Sequence, residues 1–393
     1  MCALYTRARK RRQQVIRNRT VITASSFLAM FFIGVGTAII GAASRNIGIS
    51  PYHIGLLIAM QNIGFVFSVV TFGTLADRSE KTRLMLLASL VMSFSFFFFY
   101  FKDIFALNLF IMLVIGIGIG GYEGVADAML LQVQDKKQGL YITVNHFFVT
   151  FGELMITTYL IFLQMNWRRG MVQSAAAVLA LAVVFALSKT GAQSSNEKHT
   201  FSSLLSFFTR RSVLVLFILT ICAVGIELSI VGVLTTFLME LRGFTQVTSK
   251  LGLVVLLAGL GLGRLTLGFI TKKQYITVLI TCFFGSVTLF SSLLFFVVSG
   301  DFITYVFIFF TGVVVSVIFP FILTIAGLKY PRASGTVLGI VKLGVPGGGI
   351  LIPLLISILS RYSSFEVSLA ILPITGACGF FIILANRKEL RLQ

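Results

Sequence analysis

Two carboxylates, Glu123 and Asp127, stand within the glycine-rich and otherwise apolar stretch LVIGIGIGGYEGVADAMLLQ at residues 113–132. A carboxylate in a membrane-spanning helix costs at least about 2.5–3.5 kcal/mol on insertion scales, so it marks an ion or substrate path by default. Because the two positions are four residues apart, both side chains lie on one face of a helix. Other helices can approach this segment closely over its glycines, Gly116, Gly118, Gly120, Gly121 and Gly124. The sequence therefore predicts an ion or solute site here.

Five further ionisable residues lie away from the ends of apolar segments: His146, Glu153, Glu227, Arg264 and Lys342. A carboxylate withdrawn from water can hold a proton at neutral pH and release it when water or a cation arrives, which is the physical requirement for proton coupling. We expect Glu123 to be the first proton carrier, with a hydrogen bond to substrate or a structural ion pair as its alternatives. Asp127 lies nearer the cytoplasmic end of its segment, where coupling competes with a gating or structural role.

The remaining ionisable residues leave two interpretations open. Glu153 and Glu227 are expected near the middle of the membrane, either as a substrate or proton site or as members of structural ion pairs. His146 either titrates near neutrality or packs as a hydrogen-bonded histidine. Lys342 either binds an anionic substrate or offsets one of the carboxylates.

Uncharged polar side chains in the same segments can bind a hydroxyl-rich ligand, since sugars are held by side-chain hydrogen bonds and aromatic faces. These side chains are Gln61, Asn62, Tyr122, Asn145 and Tyr159.

The elements that must position these residues are membrane-spanning helices. The chain of 393 residues is 57% hydrophobic and 11% charged, which fits neither a soluble globular protein nor a disordered one. Crossing the hydrocarbon of a bilayer takes about 20 apolar residues. Such runs recur at 20–43, 53–75, 84–101, 104–131, 141–164, 171–188, 213–239, 247–270, 275–299, 302–328, 333–360 and 366–385. We therefore predict an all-α membrane protein with twelve transmembrane helices.

The net charge of +19 is distributed unevenly over the predicted loops. Basic residues are concentrated in the N-terminal head, in the loops after the even-numbered spans and in the tail, whereas the loops on the opposite side carry few. Under the positive-inside rule, this distribution places both termini in the cytoplasm. We expect the head to anchor the topology and to contact anionic lipid rather than nucleic acid. The short loops suit the inner or plasma membrane of a cell.

A polar break after the sixth span divides the chain into two halves. The predicted units are a basic cytoplasmic head at 1–19, a six-helix bundle at 20–188, a cytoplasmic linker at 189–212, a second six-helix bundle at 213–385 and a cytoplasmic tail at 386–393. Two halves with the same path through the membrane predict a pseudo-symmetric repeat. Transporters of this kind bind their solute at the repeat interface near the membrane midplane.

The loop after the second span, GTLADRSEKTR at residues 73–83, resembles the signature loop of the major facilitator superfamily, although Glu80 stands where that family usually has glycine. The resemblance implies that Gly73 lets the second and eleventh helices pack closely. It also implies that Asp77 caps a helix and pairs with arginine across a cytoplasmic gate. The gate residues so implied are Gly73, Asp77, Arg78 and Arg83 in this loop and Arg264 in the eighth span.

Three further motifs resemble the fucose permease branch of that superfamily, whose members are proton symporters for fucose, galactose and glucose. The motifs are GIGGYEGVAD at 118–127, NHFFVTFG at 145–152 and GIELSIVG at 225–232. Glu123 matches the membrane glutamate of the branch, whereas Asp127 replaces an asparagine. The stretch GVGTAIIG at 34–41 lacks the aspartate that the fucose permease uses in proton coupling.

These features predict a secondary active transporter that moves a small organic solute, with a sugar as first choice, by alternating access and with proton coupling. A proton-driven exporter of amphipathic compounds and a transporter-like sensor without flux are the alternatives. An enzyme is not expected, because the sequence has no metal-ligand spacing and no G-x-x-x-x-G-K-[ST] loop. We expect no cofactor or metal. The expected partners of a monomeric chain are its solute, protons and membrane lipid.

Overall fold

The structure is a computed structural model that describes residues 18–76, 79–134, 138–190, 210–270, 275–330 and 334–390. Asp77 and Arg78 of the predicted gate lie outside the described residues, as do nearly all of the basic head and most of the predicted linker.

The first half of the chain folds into six long helices. They are α1 (Arg19–Ile47), α2 (Pro51–Ala76), α3 (Lys81–Phe98), α4 (Phe105–Val133), α5 (Gln138–Phe162) and α6 (Trp167–Leu187). The side of the bundle on which α1 begins is called the N-terminal face, and the side on which α1 ends is called the far face.

The second half repeats this number of spans in more pieces. Its helices are α7 (Arg211–Leu241), α8 (Gln246–Ile270), α9 (Ile276–Ser292), α10 (Asp301–Ser316), α11 (Ile318–Lys329), α12 (Ser334–Lys342), α13 (Gly344–Tyr362), α14 (Phe365–Ser368), α15 (Ile371–Ala385) and α16 (Arg387–Leu390). A π-helical turn at Leu293–Val297 extends α9. The tenth, eleventh and twelfth predicted spans are therefore each built from two consecutive helices.

Within the described residues, eleven helical stretches are long and apolar enough to cross a membrane by length and composition. The helix α5, which has 25 residues, occupies the place of the one remaining predicted span. The prediction of an all-helical membrane fold is thus confirmed.

The ends of α1 follow from local sequence chemistry. The side chain of Asn18 accepts a hydrogen bond from the Thr20 amide and so caps the start of the helix. Gly48 ends the helix in the left-handed region, at φ +84°, where a residue without a Cβ is not strained. The chain then turns directly into α2.

The eleventh span is interrupted at Leu343. Helix α12 ends at Lys342, and α13 begins at Gly344 with Pro346 in its first turn. Proline fits the first turn of a helix without loss of a backbone hydrogen bond, so a break just ahead of Pro346 is favourable, whereas Pro353 is accommodated inside α13. As a result, Lys342 lies at the end of a helix.

The glycines of α4 bring two helices into close contact with it. A Cβ added to Gly116 would overlap the carbonyl oxygen of Gln61 in α2, and one added to Gly118 would lie 3.2 Å from Met92 in α3. Two faces of α4 are thereby fixed against α2 and α3, while Asp127 faces α5. Between the two halves, most of the packing runs along three helix pairs, α1 with α7, α2 with α13, and α5 with α8, and α2 with α7 and α1 with α8 add smaller contacts.

Candidate functional site

Arg264 of α8 links both halves of the protein. Its Nη2 donates to Oε1 of Glu227 in α7 at 2.5 Å, and its Nη1 donates to the Thr150 hydroxyl of α5 at 2.8 Å. A third, longer hydrogen bond runs from Nε to the Ser316 carbonyl at 3.4 Å. The guanidinium is therefore held by one carboxylate of its own half and one hydroxyl of the other half.

Glu153 adds a second carboxylate to this arrangement. Its side chain is only 8% exposed, and its Oε1 accepts a hydrogen bond from the Thr37 hydroxyl of α1 at 3.0 Å. This is the one side-chain hydrogen bond that its carboxylate makes with the described residues. The charges of Arg264 and Glu227 act on Glu153 from the opposite half. We call Glu153, Glu227 and Arg264 the central triad.

The central triad contains two carboxylates and one guanidinium. Glu227 has the direct ion pair with Arg264, whereas Glu153 has only a hydroxyl donor. A buried charge without a partner is strongly unfavourable, so a proton or a cation must neutralise the second carboxylate whenever water is excluded. This excess of one acid group is the main electrostatic feature of the interior.

A second group of ionisable side chains lies nearer the N-terminal face. Nε2 of His146 in α5 lies 3.0 Å from Oδ2 of Asp127, and the amide of Asn145 donates to the other oxygen of that carboxylate at 3.0 Å. Asn145 is itself held, because it accepts a hydrogen bond from the Ser26 hydroxyl. Glu123, Asp127 and His146 present ligand-type atoms within 4.8 Å of one another. We call these three residues the acid–histidine cluster.

The acid–histidine cluster has the donor types of a cation site, which the spacing along the sequence does not reveal, because the residues come from two helices. A positive side chain of the second half acts against such a use. Lys342, at the end of α12, exerts its charge on both Asp127 and His146. A cation bound here would therefore compete with a lysine that is already in place.

Most of the uncharged polar residues expected to hold a sugar are satisfied by the protein itself. Tyr122 is fully buried, and its hydroxyl donates to Ser89 of α3 at 2.7 Å. Gln61 donates to the Gly36 carbonyl at 2.8 Å, and Asn62 donates to the Ile58 carbonyl at 2.9 Å. Tyr159 is exposed and donates to Gln173. Asn145 is the member of this group that contacts an ionisable residue.

The predicted gate residues are not brought together in the described part of the chain. Gly73 has the Gly124 carbonyl oxygen of α4 as its neighbour, 4.0 Å from an added Cβ, and not a residue of the eleventh span. Arg83 pairs with Glu80 of its own loop at 3.1 Å, with 76% of its side chain exposed. Arg264 lies within the central triad.

The far face carries contacts between the halves that the sequence did not single out. Arg45 at the end of α1 pairs with Glu240 near the end of α7 at 2.7 Å. The neighbouring Asn46 donates to Gln246 at 2.8 Å and accepts from Lys250 of α8 at 2.6 Å. The sequence does show polar side chains at the ends of predicted spans, but which of them pair depends on how the two halves meet. We call these five residues the far-face lock.

A bundle of two helical halves that meet around ionisable side chains has the architecture of a secondary transporter. The family model of the Major Facilitator Superfamily matches residues 22–341, so the chain belongs to that superfamily of membrane transporters. The superfamily expected from the loop at residues 73–83 is thus confirmed, and the fucose permease branch stays a prediction.

Among curated proteins, NiaP of Bacillus subtilis (strain 168), named as a niacin/nicotinamide transporter, is 25% identical over 182 residues. That match covers 45% of this chain and 44% of NiaP, so the chain spans less than half the length of this relative.

Several solved transporter structures resemble the whole chain. The nucleoside transporter NupG has a TM-score of 0.76 at 15% identity, with 95% of this chain and 100% of NupG covered. A bacterial homologue of the human lysosomal transporter Spinster, in an inward-facing and unoccupied conformation, has a TM-score of 0.75 at 14% identity, with 95% and 98% covered. The D-xylose-proton symporter has a TM-score of 0.74 at 14% identity, with 92% and 97% covered. At these identities, the likeness shows a shared fold.

Proposed function

We propose that this protein moves a small organic solute across the membrane by alternating access and couples the movement to protons. The observation that carries the proposal is the central triad, in which one guanidinium faces two carboxylates that belong to opposite halves. One carboxylate is compensated, and the other requires a proton or a cation while the site is closed to water. Opening to an aqueous side lets that proton leave, which is the elementary step of proton coupling.

Glu153 is the proton carrier in this proposal, ahead of Glu123. Glu153 is 8% exposed and has a hydroxyl as its one direct partner. Glu123 shares its cluster with His146, and Lys342 supplies a further positive charge nearby.

Alternating access is supported by where the halves touch. The far-face lock joins α1 to α7 and α8, and the central triad lies deeper in the bundle. With the N-terminal face in the cytoplasm of a cell, as the basic head and loops favour, the structure is closed towards the outside. We further propose a monomeric transporter in the inner or plasma membrane.

The first candidates for the solute are sugars and pyridine-ring compounds. The motifs shared with the fucose permease branch support a sugar, and the name of NiaP supports a niacin-like solute. A proton-driven exporter of amphipathic compounds is the second candidate, because the interior offers charge more than free hydrogen-bonding groups.

The test is proton movement in proteoliposomes that contain the full chain. Internal pH is followed with a dye while neutral sugars, pyridine carboxylates and cationic amphiphiles are added in turn. We compare the wild type with Glu153→Gln and Glu123→Gln, and we use Glu366→Gln at an exposed position as the matched control. A solute-dependent pH change that Glu153→Gln abolishes and Glu366→Gln retains is the expected result.

Other outcomes correct the proposal in defined ways. Loss of coupling in Glu123→Gln alone would move the proton to the acid–histidine cluster. Solute flux without proton movement in the wild type would rule out proton coupling and leave a uniporter.

A further inference from the structure

The central triad also limits the charge of the solute. This step rests on the proposed function, because it uses the same carboxylate. Glu153 is more than nine-tenths buried, and Thr37 is its one hydrogen-bond donor among the described residues. Its second oxygen therefore accepts no hydrogen bond from a described side chain and is left for a further positive or hydrogen-bonding group. The charge of the other carboxylate, Glu227, is already compensated by its ion pair with Arg264.

An anionic solute is disfavoured at this position. It would add a negative charge beside Glu227 and, when Glu153 is ionised, beside a second carboxylate, and Arg264 is the one cation that the described residues place in contact with this pair of acids. The guanidinium is already engaged by a carboxylate, a hydroxyl and a carbonyl. A new anion would have to break one of these hydrogen bonds, which are stronger where a charge takes part.

A neutral polyol would also have few hydrogen-bonding partners near the central triad. A site for hydroxyl groups needs several free donors and acceptors, and an unmet buried polar group costs about 1–3 kcal/mol. The amide nitrogens of Gln61 and Asn62 donate within the protein, and so does the hydroxyl of Tyr122. The Ser229 hydroxyl, which has no hydrogen-bond partner among the described residues, is a single neutral group of α7, so the carboxylate of Glu153 is the strongest acceptor that remains.

We infer that the transported solute carries a positively charged nitrogen, which replaces the proton at Glu153 and forms an ion pair with its carboxylate. The exchange conserves charge: the protonated Glu153 carboxyl releases H⁺ to the aqueous side to which the site is open, and the solute cation takes its place. Because one carboxylate cannot hold both, proton and solute occupy the site alternately. The transporter is then an exchanger of an organic cation for a proton.

The groups around Glu153 bear on this exchange. From the first half, Thr37 of α1 donates to it and His146 lies two turns away on its own helix. From the second half, the charges of Glu227 and Arg264 act on it. Of these, Glu227 favours the bound cation and Arg264 opposes it, so the net attraction comes from the excess carboxylate.

The experiment compares matched probes that differ in charge. The pyridine set is nicotinate, nicotinamide and N-methylnicotinamide, with charges of −1, 0 and +1, and the sugar set is glucuronate, glucose and glucosamine. Purified full-length protein is held in detergent with little buffer. Thermal stabilisation reports binding, and a pH indicator reports released protons.

In at least one set, we expect the cation to bind more tightly than its neutral and anionic partners and to release about one proton per protein. Where Glu153 is protonated, the apparent Kd of the cation should rise about tenfold for each unit of falling pH, because one proton competes. Glu153→Gln should abolish both proton release and this pH dependence, while Glu366→Gln should leave them unchanged.

Tighter binding of a neutral or anionic member in either set overturns the inference, and so does the absence of binding by both cations. The proposed function fails in a different way. If a cation binds through Glu153 without proton release, proton coupling is wrong and cation recognition stands. If a neutral probe drives proton movement that depends on Glu153, the proposed function stands and the charge of the solute is wrong.

Discussion

Lys250 of α8 donates a hydrogen bond to Oδ1 of Asn46 in α1 at 2.6 Å, although only 1% of the lysine is exposed. An ammonium group has three N–H donors, and Asn46 is the one side-chain acceptor that the described residues offer to this one. The contact crosses from the second half to the first, beside the ion pair of Arg45 and Glu240. The burial of Lys250 therefore depends on the far face being closed.

The first prediction concerns this contact. Asn46→Ala removes the acceptor and leaves the buried ammonium group without this hydrogen bond, which costs at least about 1–3 kcal/mol. We expect the far face to open more often, by about tenfold. The measurement is the labelling rate of Ser44→Cys by an impermeant maleimide added from the far side, in a chain whose four native cysteines are replaced. Ser44 is fully buried against Thr236 of the second half, so it reports opening.

The matched control removes both partners. In Asn46→Ala combined with Lys250→Met, no charge is left without a partner, so labelling should return towards the rate of the reporter chain. Equal labelling of the single and double variants would mean that the contact does not hold the far face closed.

The second prediction concerns the ion pair of His146 with Asp127. A protonated imidazole is attracted by Asp127 and by nearby Glu123, and Lys342 opposes it. When rising pH removes that proton, the two carboxylates lose the cation between them, so stability present at lower pH is lost as His146 deprotonates. Thermal unfolding in detergent between pH 5 and 8, the usual range of histidine, should show a falling midpoint. His146→Gln should make this slope smaller, because Glu153 also loses a proton over this range, and an unchanged slope would assign it to a group other than His146.

Much of the fold can be predicted from hydropathy. The depth of the charged residues near the middle of the membrane can be predicted from their positions within the spans. Glu227 lies at the middle of α7, as its segment predicts, because helix length fixes depth in the membrane. Hydropathy does not predict which side chains come into contact, since that depends on how each helix is rotated about its axis. Neither the contact between Arg264 and Thr150 nor that between Asp127 and His146 is visible in the spacing along the chain.

Lys250 shows most plainly what the sequence alone does not predict. The sequence places it only a few residues inside a predicted span, where a lysine ordinarily extends its amine to the membrane surface. Its burial arises because the ends of α1 and α8 meet over it. That meeting is a property of one conformation of the two halves, which residue patterns within a single helix do not encode.

The third prediction concerns the packing of α4. A Cβ at position 116 would overlap the backbone of α2 at Gln61, so Gly116→Ala must push the two helices apart. Overpacking of this kind costs about 1–3 kcal/mol. The control is Gly339→Ala in α12, where nothing lies within 4 Å of the added Cβ and alanine favours the helix. We expect a lower unfolding midpoint for Gly116→Ala only, and equal midpoints would show that α2 and α4 can separate without loss.

The fourth prediction isolates the link between the halves at Thr150. Thr150→Val keeps the shape of the side chain but removes the acceptor for Nη1 of Arg264, which costs about 1–3 kcal/mol for an unmet buried donor. Thr157→Val is the control on the same helix, because the Thr157 hydroxyl donates only to the carbonyl of Glu153 within α5. Thr150→Ser keeps the hydroxyl and should behave like the wild type.

Because the bond of Thr150 joins the halves in this conformation, its loss should change the exchange between conformations as well as the unfolding midpoint. We expect faster solute exchange in proteoliposomes for Thr150→Val, with an unchanged number of protons per solute, since Glu153 keeps its Thr37 donor. Thr157→Val should alter neither quantity. An altered number of protons per solute in Thr150→Val would mean that Arg264 controls the proton on Glu153 through Thr150. The triad would then link the halves and hold the proton by the same set of hydrogen bonds.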